Sequence, residues 1–178
     1  MKLFFPAAPW PVSLKLVSLF GTLLLGAVTY GAWRAVPGAA GFTHNFGIGV
    51  ALIPLAILPG ALLFVVRGYT VEAGELSIRR LFHATRIPLA GLRRAYVDAG
   101  VCKGSRRIMG NGGLYAFTGL FENARLGRYR LFVTDFANGV VLEFEDRVVV
   151  ISPATPHAFV EYLKKSLPGV AGETSGDD

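Results

Sequence analysis

Hydrophobic residues are concentrated in the first third of the 178-residue chain. Two runs without a charged side chain extend from Leu16 to Trp33 and from Phe46 to Val66. At about 1.5 Å per residue, a helix over the first run would measure roughly 27 Å, close to the hydrocarbon thickness of a bilayer, about 30 Å. The pattern therefore predicts two transmembrane helices, over about residues 14–33 and 46–66.

The first run is longer than the apolar stretch of a signal peptide, and prolines and Lys15 precede it, so an uncleaved helix is predicted. The second run contains Pro54 and Pro59, which can bend a helix because each removes a backbone donor. Neither run has an ionisable residue in its interior, which transporters usually need. A bent anchor is thus favoured, and the alternative is an integral subunit of a transport or envelope system whose helices carry the function.

From Arg67 onward the chain shows short alternating patterns. The alternation from Leu76 to Arg79 predicts a strand that follows an Ala73-Gly74 turn and pairs with Tyr69–Glu72. Asn138-Gly139 predicts a hairpin turn because both residues tolerate a positive φ. Residues 100–128 hold seven glycines and are less regular. Further strands are predicted over Ala84–Ile87, Arg94–Ala99, Arg128–Val133, Val140–Phe144 and Arg147–Ile151.

A single helix is predicted to close the chain. Thr155 suits the N-cap and Pro156 the first helical position, while Phe159 and Leu163 form an apolar stripe. The expected fold is two transmembrane helices followed by a mainly-β domain of about seven antiparallel strands, capped by this helix. The predicted organisation is a membrane segment over 1–66, a β domain over 67–168 and a disordered acidic tail over 169–178.

The net charge of +6 is unevenly distributed. Residues 1–66 carry three basic and no acidic side chains, residues 67–130 carry twelve and four, and residues 131–178 carry three and eight. Because basic residues flank both outer ends of the predicted hairpin, the positive-inside rule places both termini in the cytoplasm, at the inner membrane. The single cysteine, Cys102, excludes an internal disulfide and is interpreted as a partly buried residue.

Basic residues of the β domain are the candidate contacts for an anionic lipid surface or an acidic protein partner. A solvated, solubilising face is the other interpretation of the same charges. Nucleic acid is not favoured as a partner, because a membrane helix precedes the domain directly. The candidate contact residues are Arg67, Arg79, Arg80, Arg93, Arg94, Arg106, Arg107 and Arg128.

The chemistry of an enzyme is not predicted. The histidines are scattered without metal-ligand spacing, and the carboxylates fall at turns or at alternating strand positions. The segment Gly110-Asn111-Gly112-Gly113 lacks the Lys-Ser/Thr of a phosphate loop, and Tyr115 replaces the third glycine of a dinucleotide motif. The segment therefore predicts a tight turn or bulge, and no catalytic, cofactor-binding or metal-binding residue and no cofactor is assigned.

Several segments resemble the bacterial pleckstrin-homology-like (PH-like) domains that are fused to membrane helices. They are Tyr69–Ile78 as the opening hairpin, Ile87–Leu92, Gly110–Tyr115 with Thr118-Gly119 and Gly127–Tyr129, and Val149–Pro153 before Phe159. The resemblance covers about residues 67–167. It implies a two-sheet, seven-stranded barrel capped by a helix, often self-associating and without established catalysis. Its candidate structural signature is Gly110, Asn111, Gly112, Gly113 and Gly119.

One departure from the lipid-reading members concerns the first hairpin loop. Those domains hold phosphoinositides with basic residues there, whereas the loop Glu72–Glu75 is acidic. A phosphoinositide site is therefore not predicted at that position. The expected function is a membrane-anchored, non-enzymatic interaction module at the cytoplasmic membrane face, for self-association or for protein or anionic-lipid contact.

Overall fold

The computed structural model describes residues 2–35, 41–167 and 169–170. Most of the loop between the helices and most of the predicted acidic tail therefore lie outside the described residues. The helices are α1 (Val12–Ala35) and α2 (Phe42–Leu62), and both are long and apolar enough to cross a membrane. In the most apolar 18-residue stretch of each helix, only 11% (α1) and 17% (α2) is buried, far less than in a core helix of a water-soluble domain.

The second helix ends earlier than predicted. The prediction extended it to Val66, but Val66 begins a strand. The N–H of Phe64 donates to the carbonyl of Ala61 at 3.0 Å, and the N–H of Val65 donates to that of Leu62 at 3.2 Å. The helix therefore ends in tighter i→i+3 turns, after which the chain enters a sheet directly.

The β strands form two sheets. The first has the order β1-β2-β3-β4, and the second has the order β5-β9-β10-β8-β7-β6. A C-terminal helix, α3 (Pro156–Ser166), follows. The strands are β1 (Leu3–Pro6), β2 (Val66–Glu72), β3 (Glu75–Arg80), β4 (Ala84–Pro88), β5 (Leu92–Val97), β6 (Arg106–Gly112), β7 (Phe117–Asn123), β8 (Gly127–Val133), β9 (Val140–Phe144) and β10 (Val148–Ile151).

The β domain is not the closed, seven-stranded antiparallel barrel that was predicted. The two sheets are not joined by a continuous ladder, and the described residues form ten strands. The chain changes sheets after β4, which ends at Pro88, a residue without an N–H to donate to a further partner. Moreover, β10 lies between β9 and β8 and runs parallel to β8.

The prediction of a hairpin turn at Asn138-Gly139 was wrong. A short 3-10 helix covers Phe136–Asn138, and Gly139 has an extended backbone with a φ of −64°. A Cβ atom on Gly139 would lie 2.6 Å from the carbonyl oxygen of Asp98. The glycine is therefore needed for the close approach of two chain segments rather than for a positive φ.

The N-terminal strand β1 belongs to the β domain, although the sequence assigned it to the membrane segment. It pairs antiparallel with β2, from Leu3 opposite Val71 to Pro6 opposite Gly68. Beyond it, the N–H of Ala8 donates to the carbonyl of Ser152 at 2.8 Å. Strand β1 thus extends the first sheet and also ties it to the chain that leaves the second sheet.

The main core lies between the two sheets and is closed by α3. As predicted, Phe159 and Leu163 of this helix are fully buried, and Pro156 is its first residue, while Thr155 caps it without a side-chain hydrogen bond. The ring of Phe5 in β1 meets that of Phe159 edge-on at 4.9 Å between centroids.

A second core lies on the other face of the six-stranded sheet. It contains Leu131 of β8, Val141 of β9 and Val150 of β10, and Val101 from the segment after β5 packs on it. The side-chain amide of Asn123 fixes that segment by donating to the carbonyl of Val101 at 2.7 Å. The central strands are therefore buried on both faces, which explains their nearly continuous apolar sequence.

We expect Tyr69→Phe to lower the free energy of unfolding by roughly 1–3 kcal/mol, because it leaves two buried backbone groups without a partner. The Tyr69 hydroxyl donates to the carbonyl of Phe132 at 2.7 Å and accepts from the N–H of Ser152 at 3.0 Å. Burial raises the pKa of Tyr69 to about 12, so the hydroxyl stays protonated. Thermal unfolding of the full chain in detergent measures the effect. Tyr162→Phe is the control, because its ring is half-buried and lies tilted against that of Phe5 at 5.8 Å between centroids. Equal effects of the two variants would contradict the prediction.

Candidate functional site

The glycine-rich segment holds a turn against α1. The β6–β7 turn, residues 113–116, lies beside this helix, where the Ser18 hydroxyl accepts the N–H of Tyr115 at 2.9 Å. The hydroxyls of Thr22 and Tyr115 are 2.8 Å apart, and a Cβ on Gly21 would lie 3.2 Å from a methyl of Leu114. The β domain therefore contacts the N-terminal half of α1 through side chains, in addition to its covalent connection to the helices.

The signature residues shape this turn. The side chain of Asn111 donates to the carbonyl of Leu114 at 2.5 Å and accepts its N–H at 3.1 Å, which ties the turn to the end of β6. Gly110 and Gly119 face each other across β6 and β7, with φ of 119° and 142°. A Cβ on either glycine would overlap the backbone of the opposite strand. The predicted bulge is thus a close backbone contact that supports the helix-binding turn.

Sequence reasoning missed Ser18 and Thr22, which carry this contact. They lie one helical turn apart, with Gly21 between them, on a helix that is otherwise apolar. Small and hydroxylated residues at this spacing are typical of a helix face that packs closely against another element. The spacing of Ser18, Gly21 and Thr22 was therefore the feature of the sequence from which this contact could have been predicted.

The structure does not bring the eight candidate arginines together. Four of them form surface ion pairs, each of which typically contributes about 0–1 kcal/mol. Arg107 instead donates to the carbonyl of Gly110 at 3.2 Å. The pairs are Arg93–Glu145 (3.2 Å), Arg94–Glu143 (3.8 Å), Arg106–Glu122 (2.6 Å) and Arg128–Glu122 (3.8 Å).

Arg67, Arg79 and Arg80 do lie together, at the end of the first sheet where α2 enters it. Val66 is paired with Arg80, and Gly68 with Arg79, and Arg67 is the bulged residue between these pairs. Arg67 and Arg79 are exposed and form no ion pair within the described residues. This end of the domain therefore carries the least compensated positive charge among the predicted contacts.

Arg80 has a different environment. Its guanidinium carbon lies 5.3 Å from the ring centroids of both Phe64 and Phe132, so it is stacked between the segment after α2 and the second sheet. Burial, and then the neighbouring Arg130, lower the pKa of Arg80 from its ordinary value. Such contacts stabilise packing by roughly 0.5–2 kcal/mol, so Arg80 fixes the helix exit against the domain.

A polar groove of about 620 Å³ covers the outer face of the first sheet. Arg79 and Thr70 line it, and Phe82 of the β3–β4 turn lies at one end. Thr70 is only 3% exposed, and its hydroxyl has no hydrogen-bond partner within the described residues. The acidic side chains of the groove, Glu72 and Glu75, lie at the other end of β2 and β3.

A second cavity, of about 360 Å³, opens beside the second core and is lined by Phe121, Tyr129 and Cys102, with Arg107 at its rim. Burial raises the pKa of the Cys102 thiol, so the reactive thiolate is disfavoured at this site. Within residues 2–35, 41–167 and 169–170, no cluster of His, Cys, Asp and Glu could hold a metal ion. The polar groove and this smaller cavity are the candidate binding surfaces of the domain.

These features define a structural class: a two-sheet β domain closed by a helix and carried on two long apolar helices. The bacterial PH domain family matches residues 67–167, more than half of the chain, and the chain belongs to this family. The resemblance found in the sequence is thereby confirmed, and PH-like domains are usually non-enzymatic modules that bind lipids or proteins. No curated protein and no solved structure matches the chain.

Proposed function

We propose that the chain is a membrane-anchored, non-enzymatic interaction module, which presents its PH domain at the cytoplasmic face of the inner membrane. The observation that carries this proposal is the pairing of β1 with β2. Strand β1 precedes α1 and strand β2 follows α2, so both ends of the helical pair leave from neighbouring strands of one sheet. The domain is thereby held close to the membrane with a restricted orientation.

The same pairing bears on topology. If α1 and α2 cross the bilayer, the N-terminus and the domain must lie on the same side, because Leu3 and Val71 are paired in one sheet. The positive-inside rule assigns that side to the cytoplasm, since Lys2, Lys15 and Arg67 flank the two helices there. The geometry thus supports a common side for the N-terminus and the domain, and the charges support the cytoplasm as that side.

In this proposal, the domain functions by contacting a second copy of the chain, a protein partner or anionic lipid. The polar groups of α1 support that view over a function within the helices, because Ser18 and Thr22 contact the domain. An exchange of the anchor should therefore spare residues 1–22, which include β1 and this contact. Replacing only the later helical residues separates the role of the anchor from that of the domain.

We expect Ala39→Cys, and not Ala124→Cys, to react with a membrane-impermeant maleimide in intact spheroplasts, in a Cys102→Ala background. In the sequence, residue 39 comes after α1 and before α2, and residue 124 lies in the turn between β7 and β8. After permeabilisation, residue 124 should react as well. Reaction at residue 124 alone before permeabilisation would reverse the topology, and equal reaction at both positions would contradict a spanning pair of helices.

A further inference from the structure

The β3–β4 turn carries an exposed apolar tip. It consists of Leu81, Phe82 and His83, which link Arg80 to the start of β4. Leu81 is 40% exposed and Phe82 is 74% exposed. Single exposed apolar residues are ordinary on proteins, so the location of this tip decides what it means.

The tip lies at the end of the sheet that receives α2. Arg80 is paired with Val66, and only three residues separate Val66 from the last residue of α2. Two of these residues, Leu63 and Phe64, are each 40% exposed. The apolar surface of α2 therefore continues through Leu63 and Phe64 to the β3–β4 turn.

The charge around the tip is positive. No acidic residue occurs before Glu72 or between Leu76 and Val97 in the sequence. The exposed guanidinium groups of Arg67 and Arg79 flank the turn without an ion pair inside the described part of the chain. Apolar side chains beside uncompensated arginines suit the boundary between acyl chains and anionic headgroups.

We propose that the β3–β4 turn is a second membrane contact, in which Leu81 and Phe82 enter the headgroup layer and Arg67 and Arg79 bind lipid phosphates. The groove that starts at this turn adds polar surface beside Arg79, because the polar residues Ser77 and His83 also line it. The contact rests on the proposed membrane anchoring. This contact attaches the domain to the membrane at a second point, and thereby fixes its orientation about the axis of α2.

The test uses the full chain with Cys102→Ala in nanodiscs. His83→Cys, Ala124→Cys and Leu24→Cys are labelled singly with bimane, and the discs contain phosphatidylglycerol brominated near the headgroup end of its acyl chains. We expect the lipid bromine to quench the label at position 83 several-fold more strongly than at position 124. Position 24, in the middle of α1, is measured in separate discs whose lipid is brominated near the ends of its acyl chains, and it reports whether the helix itself is inserted.

Two sets of variants assign the contact to its residues. Phe82→Ser should reduce quenching at position 83, while Met109→Ser, at a residue 71% exposed on β6, should leave it unchanged. The double variant Arg67→Gln/Arg79→Gln should lower the quenching at position 83 in anionic discs. The expected value is the one measured in discs of phosphatidylcholine brominated at the same place.

Quenching at position 24 together with equal, weak quenching at positions 83 and 124 would overturn this contact and leave the anchor intact. Absence of quenching at position 24 would instead contradict the anchor itself. A photo-crosslinker at position 83 that captures a protein in native membranes, without quenching in discs, would show that the turn binds protein and not lipid.

Discussion

Gly119→Ala is expected to lower the free energy of unfolding by about 3 kcal/mol or more. Gly119 has a φ of 142°, in a region that is almost exclusive to glycine and where an L-residue costs roughly 1–3 kcal/mol. A new Cβ would also overlap the carbonyl oxygen of Met109 across the β6–β7 ladder, and such overpacking typically costs a further 1–3 kcal/mol. Thermal unfolding of the full chain in detergent should shift by roughly 6–12 °C, given about 2–4 °C per kcal/mol for a chain of this size.

The control is Gly127→Ala in the β7–β8 turn. Gly127 also has a positive φ, 65°, but a Cβ there would meet no atom within 4 Å. We expect it to cost only the backbone strain, roughly 1–2 kcal/mol. Equal shifts of the melting temperature for the two variants would contradict this prediction. They would show that the close approach of Gly110 and Gly119 is not what requires a glycine at position 119.

The second large effect is expected from Phe5→Ala, which should cost about 3–5 kcal/mol. Phe5 is 7% exposed, and its ring packs on Phe159 and Tyr162 of α3. Truncation leaves a cavity between the first sheet and the closing helix. The variant therefore tests whether a residue before α1 belongs to the core of the domain that follows α2.

Phe4→Ala is the matched control for Phe5→Ala on the same strand. Phe4 is 52% exposed and points to the outer face of the sheet, where its ring covers Gly68. We expect a loss of about 1 kcal/mol, since little apolar area is buried there. Small and equal losses for the two variants would show that β1 does not contribute to the core in solution.

Local patterns predicted local structure correctly. The Ala73-Gly74 turn has φ of 50° and 75°, as a tight hairpin requires, and the stripe of Phe159 and Leu163 defines the buried face of α3. The family resemblance, which rests on short motifs in order along the chain, was confirmed as well. These features depend on neighbours in the sequence, so the sequence alone suffices for them.

The failures have in common that distant residues decide the outcome. Strand β1 has only four residues, and its partner begins beyond both helices. β6 and β7 were not recognised because facing glycines interrupt their alternation. The clustering of Arg67, Arg79 and Arg80 depends on the register of β2 and β3, and so does the separation of the other five arginines from them. The clustering of these three arginines could therefore not be derived from their spacing in the sequence.

The pairing of β1 with β2 sets an order of events during synthesis. Strand β1 leaves the ribosome before its partner, which emerges only after both helices have been made, so the first sheet can be completed only after α2 has been synthesised. A chain inserted with only one helix across the bilayer would hold β1 and β2 on opposite sides. The edge of β2 would then stay unpaired and prone to aggregation or proteolysis. If the helices span the membrane as proposed, completion of the first sheet would therefore require that both of them are inserted.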